Sequence, residues 1–159
     1  MARRFARGPR GERVVCKTPH GHWKTLSTIA ALGAGGLITA CSFDGATDTE
    51  MFVAFVEQFL MPKLKRGQIV IMDNLQAHKS PRVDRLIESA RARVLRLPPY
   101  SPDFNPIEMA ISKVKSVLRT LGCRTIEDLE TGLGEAIVSV TPEDARNYIR
   151  HCGYAATHV

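Results

Sequence analysis

"LRLPPYSPDFNPIE", residues 95–108, packs four prolines and two acidic residues between an apolar run and the start of a helical pattern. Each proline fixes its own φ and biases the preceding residue toward extended backbone. The segment therefore reads as a stiff spacer that delivers one carboxylate, Glu108, on the first turn of a helix. Upstream, "IVIMDN", residues 69–74, is a short continuous apolar run ending in an acid. Such a run suits a central strand covered on both faces. Asp73 then falls at the end of a strand, where open α/β sheets place their chemistry.

The neighbouring segments fill in a layered domain. "TLSTIAAL" (25–32) and "LITACSF" (37–43) flank "GAGG" and predict an antiparallel hairpin with a glycine-rich connection. Thr47 or Asp48 is placed to cap a helix reaching about residue 61, with Phe52, Phe55, Val56 and Phe59 as its buried face. "SPRVDRLIES" predicts a helix with Ser80 as cap and Pro81 in its first turn. "ARVLRLP" (92–98) predicts another short strand. A helix then starts at Asn105–Pro106, with Ile107, Ile111, Val114, Leu118 and Leu121 as its buried stripe. Thr125 caps a further helix over Ile126 to Val140, and Pro142 opens a last one, "PEDARNYIRHC". Strand, strand, helix, strand, helix, strand, helix is the order of an α/β layer domain.

Charge is unevenly placed along the 159 residues. Up to residue 24 there are seven basic residues (Arg3, Arg4, Arg7, Arg10, Arg13, Lys17 and Lys24) against Glu12 alone, while the remainder carries fifteen of each sign. Such a basic arm can neutralise phosphates without reading sequence, or serve as a solubilising tail. The four cysteines lack the close paired spacing of a zinc site. No secretory leader is visible, and "TIAALGAGGLITACSF" is broken by glycines and too short to span a bilayer. The expectation is a cytosolic protein with reduced thiols.

Asp73 and Glu108 are the residues on which chemistry would turn. Glu108 shares a polar helix flank with Ser112, Lys115 and Arg119. Convergent carboxylates are hard oxygen ligands suited to Mg²⁺ or Mn²⁺. The same two acids also suit structural duties: an Asx turn for Asp73, and a favourable helix N-terminus for Glu108. Spacing alone leaves both readings open.

"VIMDNLQAHKS" followed by "LRLPPYSPDFNPIEMAISKVK" resembles the catalytic core of the IS630/Tc1/mariner class of DDE transposases, and most of all its IS630 branch. The resemblance implies an RNase H-like α/β fold and an Asp–Asp–Glu (or Asp) metal triad that cuts and joins DNA. Asp73 matches the second triad position and Glu108 the last, with 34 residues between them. Asn74 and His78 match the family's "DN" and following histidine. Two departures stand out. Ile111 replaces the family's usual tryptophan, and no acid occupies the first triad position, since Asp44 and Asp48 match an ordinary turn after the hairpin.

The resemblance thus implies a DDE catalytic domain that lacks its first strand and one ligand. In intact form it would use two Mg²⁺ or Mn²⁺ ions, act on transposon ends and target DNA, and work as a homodimer near the bacterial nucleoid. Expected divisions are a basic segment over 1–24, a partial core over 25–125 and a helical segment over 126–159. Expected DNA contacts are Arg3, Arg4, Arg7, Arg10, Arg13, Lys79, Lys113, Lys115 and Arg119. A non-catalytic DNA-binding or dimerising remnant is the alternative function.

Overall fold

The structure is a computed structural model that describes residues 8–12, 15, 26–123 and 125–155. Arg3, Arg4, Arg7 and Arg13 lie outside the described residues. Two strands, β1 (Leu26–Gly33) and β2 (Gly36–Asp44), form the expected antiparallel hairpin, turning at Ala34–Gly35. Gly36 has φ +117°, and a Cβ there would meet the Val140 carbonyl at 3.1 Å, so both conformation and space favour glycine. The register slips between Ala31 and Leu32, which makes a bulge.

Asp48 caps α1 (Thr49–Phe55), its carboxylate accepting from the Met51 N–H at 2.8 Å. The helix then widens into a π turn over Val56–Leu60 and closes as a tight 3₁₀ turn, Met61–Lys63. The Met61 N–H bonds back to the Val56 carbonyl, five residues away. This extra residue per turn changes which side chain faces inward. Leu60 is buried and Phe59 remains 38% exposed, a correction to the expected stripe.

β3 (Ile69–Met72) runs parallel to β4 (Arg93–Arg96), joined through α2 (Pro81–Ser89), whose cap is Ser80. A crossover helix is what a parallel pair requires. Among the described residues β3 pairs with β4 alone, and Ile69 is 55% exposed. The expected central strand covered on both faces is therefore, in these residues, a strand with one partner.

Three further helices follow among the described residues: α3 (Pro106–Leu121), α4 (Ile126–Val138) and α5 (Pro142–His151). Thr125 and Thr141 each form a reciprocal capping box with an aspartate three residues on. The buried stripe of α3 is Pro106, Ala110, Val114 and Leu118. It is turned from the expected one, leaving Ile107 and Ile111 half-buried and Leu121 exposed. Proline and alanine carry weak apolar signals beside two isoleucines, yet their small size lets α4 and α5 approach closely.

The apolar residues form two cores. One joins Phe52, Val53, Val56 and Leu60 to Met72, Val83 and Ile87, with Ile29, Ala31 and Cys41 against it. The other joins Ala110, Val114 and Leu118 to Leu133, Ala136 and Val140, with Leu32 and Leu37 against it. Side chains alternate across a strand, so Ala31 and Leu32 point to opposite faces of the hairpin. Helices thus cover both faces of the hairpin, an α/β/α arrangement. No helix among the described residues is long and apolar enough to cross a membrane.

The π turn makes a specific claim about energetics. Leu60→Ala is expected to cost about 2–4 kcal/mol of stability, as for other buried leucines, and Phe59→Ala less than about half of that. Urea unfolding of the two variants checks the order; a larger loss at Phe59 would mean a regular α-helical register.

Candidate active site

Asp73 is the first residue beyond β3, after a last ladder bond from the Leu97 N–H to the Met72 carbonyl at 2.9 Å. Its carboxylate accepts from the Leu75 N–H at 3.1 Å, so the expected Asx turn is present. A 3₁₀ turn over Gln76–Lys79 follows, and His78 within it closes back on the strand end. His78 Nδ1 lies 2.6 Å from the Asp73 carboxylate. The oxygen sits off the direction of a straight N–H···O bond, and among the described residues this buried nitrogen has no hydrogen-bond partner. The contact is therefore a close polar contact rather than an aligned hydrogen bond. The His78 ring lies against Phe52, with centroids 4.0 Å apart and planes tilted by 36°. Asn74 is half-buried beside this pair and Lys79 is exposed.

Glu108 is reached by the other route. From Leu97, which is buried, the chain passes two prolines and turns at Tyr100, whose φ is +57° and whose side chain is fully exposed. A 3₁₀ turn over Pro102–Phe104 leads into α3 at the buried Asn105. The Glu108 N–H bonds to the Asn105 carbonyl at 3.1 Å. Glu108, Ser112, Lys115 and Arg119 are all exposed, as the polar flank predicts. A cleft of about 270 Å³ opens beside Glu108, lined also by Asp103, Ser112, His151 and Cys152.

One part of this arrangement had no signal in the sequence. The Tyr154 hydroxyl donates to the Phe104 carbonyl at 2.9 Å, across fifty residues of chain. Burial pushes the Tyr154 hydroxyl above its usual pKa. The C-terminal segment thus ties down the turn that introduces Glu108. A second tie is the ion pair of Lys113 with Asp144 at 2.6 Å, which joins α3 to the cap of α5. Lys113, expected on a DNA path, is engaged here within the protein. Lys115 and Arg119 remain on the surface, as does Arg10.

The structure therefore brings Asp73 and His78 together and sets Glu108 in a cleft with other neighbours. The donor chemistry of two carboxylates fits a hard divalent cation such as Mg²⁺. Their gathering does not complete a site: among the described residues, no three His, Cys, Asp or Glu side chains are grouped to hold a metal ion.

The model of the DDE superfamily endonucleases matches residues 1–131, and the chain belongs to that family. It has the RNase H-like fold of the transposase and integrase cores. The Mos1 transposase catalytic domain, solved with raltegravir and Mg, is similar at 18% identity and a TM-score of 0.64, over 81% of this chain and 70% of that one. The Mos1 transposase paired-end complex with left transposon end aligns with a TM-score of 0.70 and 14% identity, covering 96% of this chain. This chain spans 47% of the length of that transposase. The catalytic core domain of BIV integrase is similar with a TM-score of 0.52 at 16% identity, over 87% of this chain and 95% of that one. A search of curated protein sequences finds no match.

The Lys113–Asp144 tie carries a pH dependence. The Lys113 hydrogen bond, then those from Thr141, hold the Asp144 carboxyl down from 3.8 to about 2. On acidification the unfolded chain takes up this proton before the folded chain does. The stabilisation is thus complete above about pH 4 and lost as the pH falls toward 2. Asp144→Asn should flatten the fall in the urea midpoint over that window, and Lys113→Met should flatten it in part. An unchanged slope in Asp144→Asn would mean that the pair contributes nothing.

Proposed function

We propose that this chain forms part of a DNA transposase catalytic domain, with Asp73 and Glu108 as the carboxylates that hold its divalent cations, Mg²⁺ or Mn²⁺. The observation that carries the reading is the position of Asp73, just past the C-terminal end of a parallel strand pair. The proline-rich signature ending in Glu108 leads away from the neighbouring strand of the same pair. Adjacent strands in one register start the two routes on the same side of the sheet.

The reaction of this class breaks a phosphodiester at a transposon end with water and then uses the freed 3′-hydroxyl on target DNA. In each step one P–O bond forms as another breaks, and the departing oxygen takes up a proton. Divalent ions held by Asp73 and Glu108 would supply activation of the attacking hydroxyl and charge stabilisation at the departing oxygen. His78 holds the Asp73 side chain against the strand end, and Asn74 shapes the turn beside it. Arg10, Lys79, Lys115 and Arg119 are the exposed cations offered to the DNA backbone, together with the basic arm. A homodimer on paired ends is part of the proposal, because the Mos1 relative is a paired-end complex.

A second reading is favoured by one observation: the described residues gather no three ligands for a metal. On that reading the chain binds DNA, or a relative, without cutting.

Calorimetry with Mn²⁺ on the purified chain separates the two. The catalytic reading expects binding that Asp73→Asn and Glu108→Gln each weaken at least about tenfold. Absence of Mn²⁺ binding by a folded chain, with salt-sensitive DNA binding that survives both substitutions, would establish the non-catalytic reading instead.

A further inference from the structure

Arg96 ends β4 and stands directly across from Met72, the last residue of β3. Its side chain is only 27% exposed, and its guanidinium is used on two edges. Nη1 donates to the His78 carbonyl at 2.6 Å and lies 3.4 Å from the Met72 sulfur. Nη2 donates to the Asp84 carboxylate of α2 at 2.5 Å. One planar group therefore touches the residue before Asp73 and the residue five positions after it. The segment between them, Asp73 to His78, belongs to neither a strand nor an α-helix.

We propose that Arg96 is a positioning residue: its guanidinium fixes both ends of the Asp73–His78 segment and thereby sets where the Asp73 carboxylate points. The Asx turn within the segment ties Asp73 only to Leu75, two residues away. The His78 N–H bonds only to the Leu75 carbonyl, at 3.0 Å. Both bonds are internal, so neither anchors the segment to the rest of the fold. Contacts from outside do: Ala77 packs against the first core, the Phe52 ring of α1 holds the His78 side chain, and Arg96, the one of these from the sheet, holds the His78 backbone. Asp84 turns the guanidinium into the required plane, and its place in the first turn of α2 suits its own charge. A lysine at this position would offer a single nitrogen, able to serve the carbonyl or the carboxylate but not both with a rigid fork. Only the consequence for metal binding rests on the catalytic reading above; the fixing of the segment does not.

The test follows amide hydrogen exchange across the full chain in Arg96→Met, Arg96→Lys and Asp84→Asn. In Arg96→Met, exchange over residues 74–79 should quicken about tenfold or more, as expected for losing a charged donor to a carbonyl. The β3–β4 ladder should stay within about twofold, since a local opening leaves the rest of the fold protected. Arg96→Lys should fall between Arg96→Met and the parent, and carries the comparison alone if Arg96→Met does not fold. Asp84→Asn should quicken the segment less than Arg96→Met. Mn²⁺ affinity in Arg96→Met should drop about tenfold or more. Unchanged exchange over 74–79 in a folded variant overturns the proposal, and so does an equal rise throughout the chain, which marks a general stabiliser. If the parent takes up no Mn²⁺, the catalytic reading fails while the exchange data still decide the role of Arg96.

Discussion

The two carboxylates are tied to different cores, and the β1–β2 hairpin is what holds those cores apart. Asp73 follows Met72, which packs with Phe52, Val83 and Ile87 on one face of the hairpin. Glu108 opens the helix whose Ala110, Val114 and Leu118 pack on the other face. Ile29 and its partner Cys41 meet the first core, and Leu32 and its partner Leu37 meet the second. Any shift of the hairpin by one residue would exchange those faces and put each apolar set against the wrong helices. The bulge between Ala31 and Leu32 falls where the contacts change from one core to the other. The placing of each acid is thus set by sheet register as well as by its own loop.

Each acid is then fixed locally by a contact from a distant part of the chain. Phe52 is itself a core residue, 6% exposed, yet its ring also seats His78. Packing free energy is in this way turned into orientation of a polar turn, at a site where the histidine has no straight hydrogen bond to do so. The Glu108 side is held by hydrogen bonding instead, through Tyr154 and Asn105. A rigid proline-rich segment needs only a few such ties, because most of its conformational entropy is already removed before folding.

Much of this was legible in the sequence, for reasons that are local. Asp48 (one of two candidates with Thr47), Ser80 and Thr125 are caps with side chains made for the purpose, and each is found capping its helix. The hairpin and the strand bearing Asp73 follow from apolar runs bounded by glycine or charge. The family signature depends on a spacing of residues, which a sequence displays directly. The features missed depend on packing between elements. Whether Phe59 or Leu60 turns inward is decided by one widened turn, which leaves no trace in apolar periodicity. The stripe of α3 runs through Pro106 and Ala110 because small residues admit neighbours, whereas hydrophobicity alone points to Ile107 and Ile111.

Arg96 shows the same limit from the polar side. In sequence it alternates with Leu95 and Leu97 on a short strand, and nothing near it marks its partners. Its partners, His78 and Asp84, lie 18 and 12 positions away and are brought to it by the parallel pairing of β3 with β4. A crossover connection re-enters the sheet at the end opposite the one it left, so β3 and β4 run the same way and finish at the same end. The side chain closing β4 therefore stands beside the turn that leaves β3. That topology, rather than any motif, makes the last residue of one strand available to orient the first residue beyond the other.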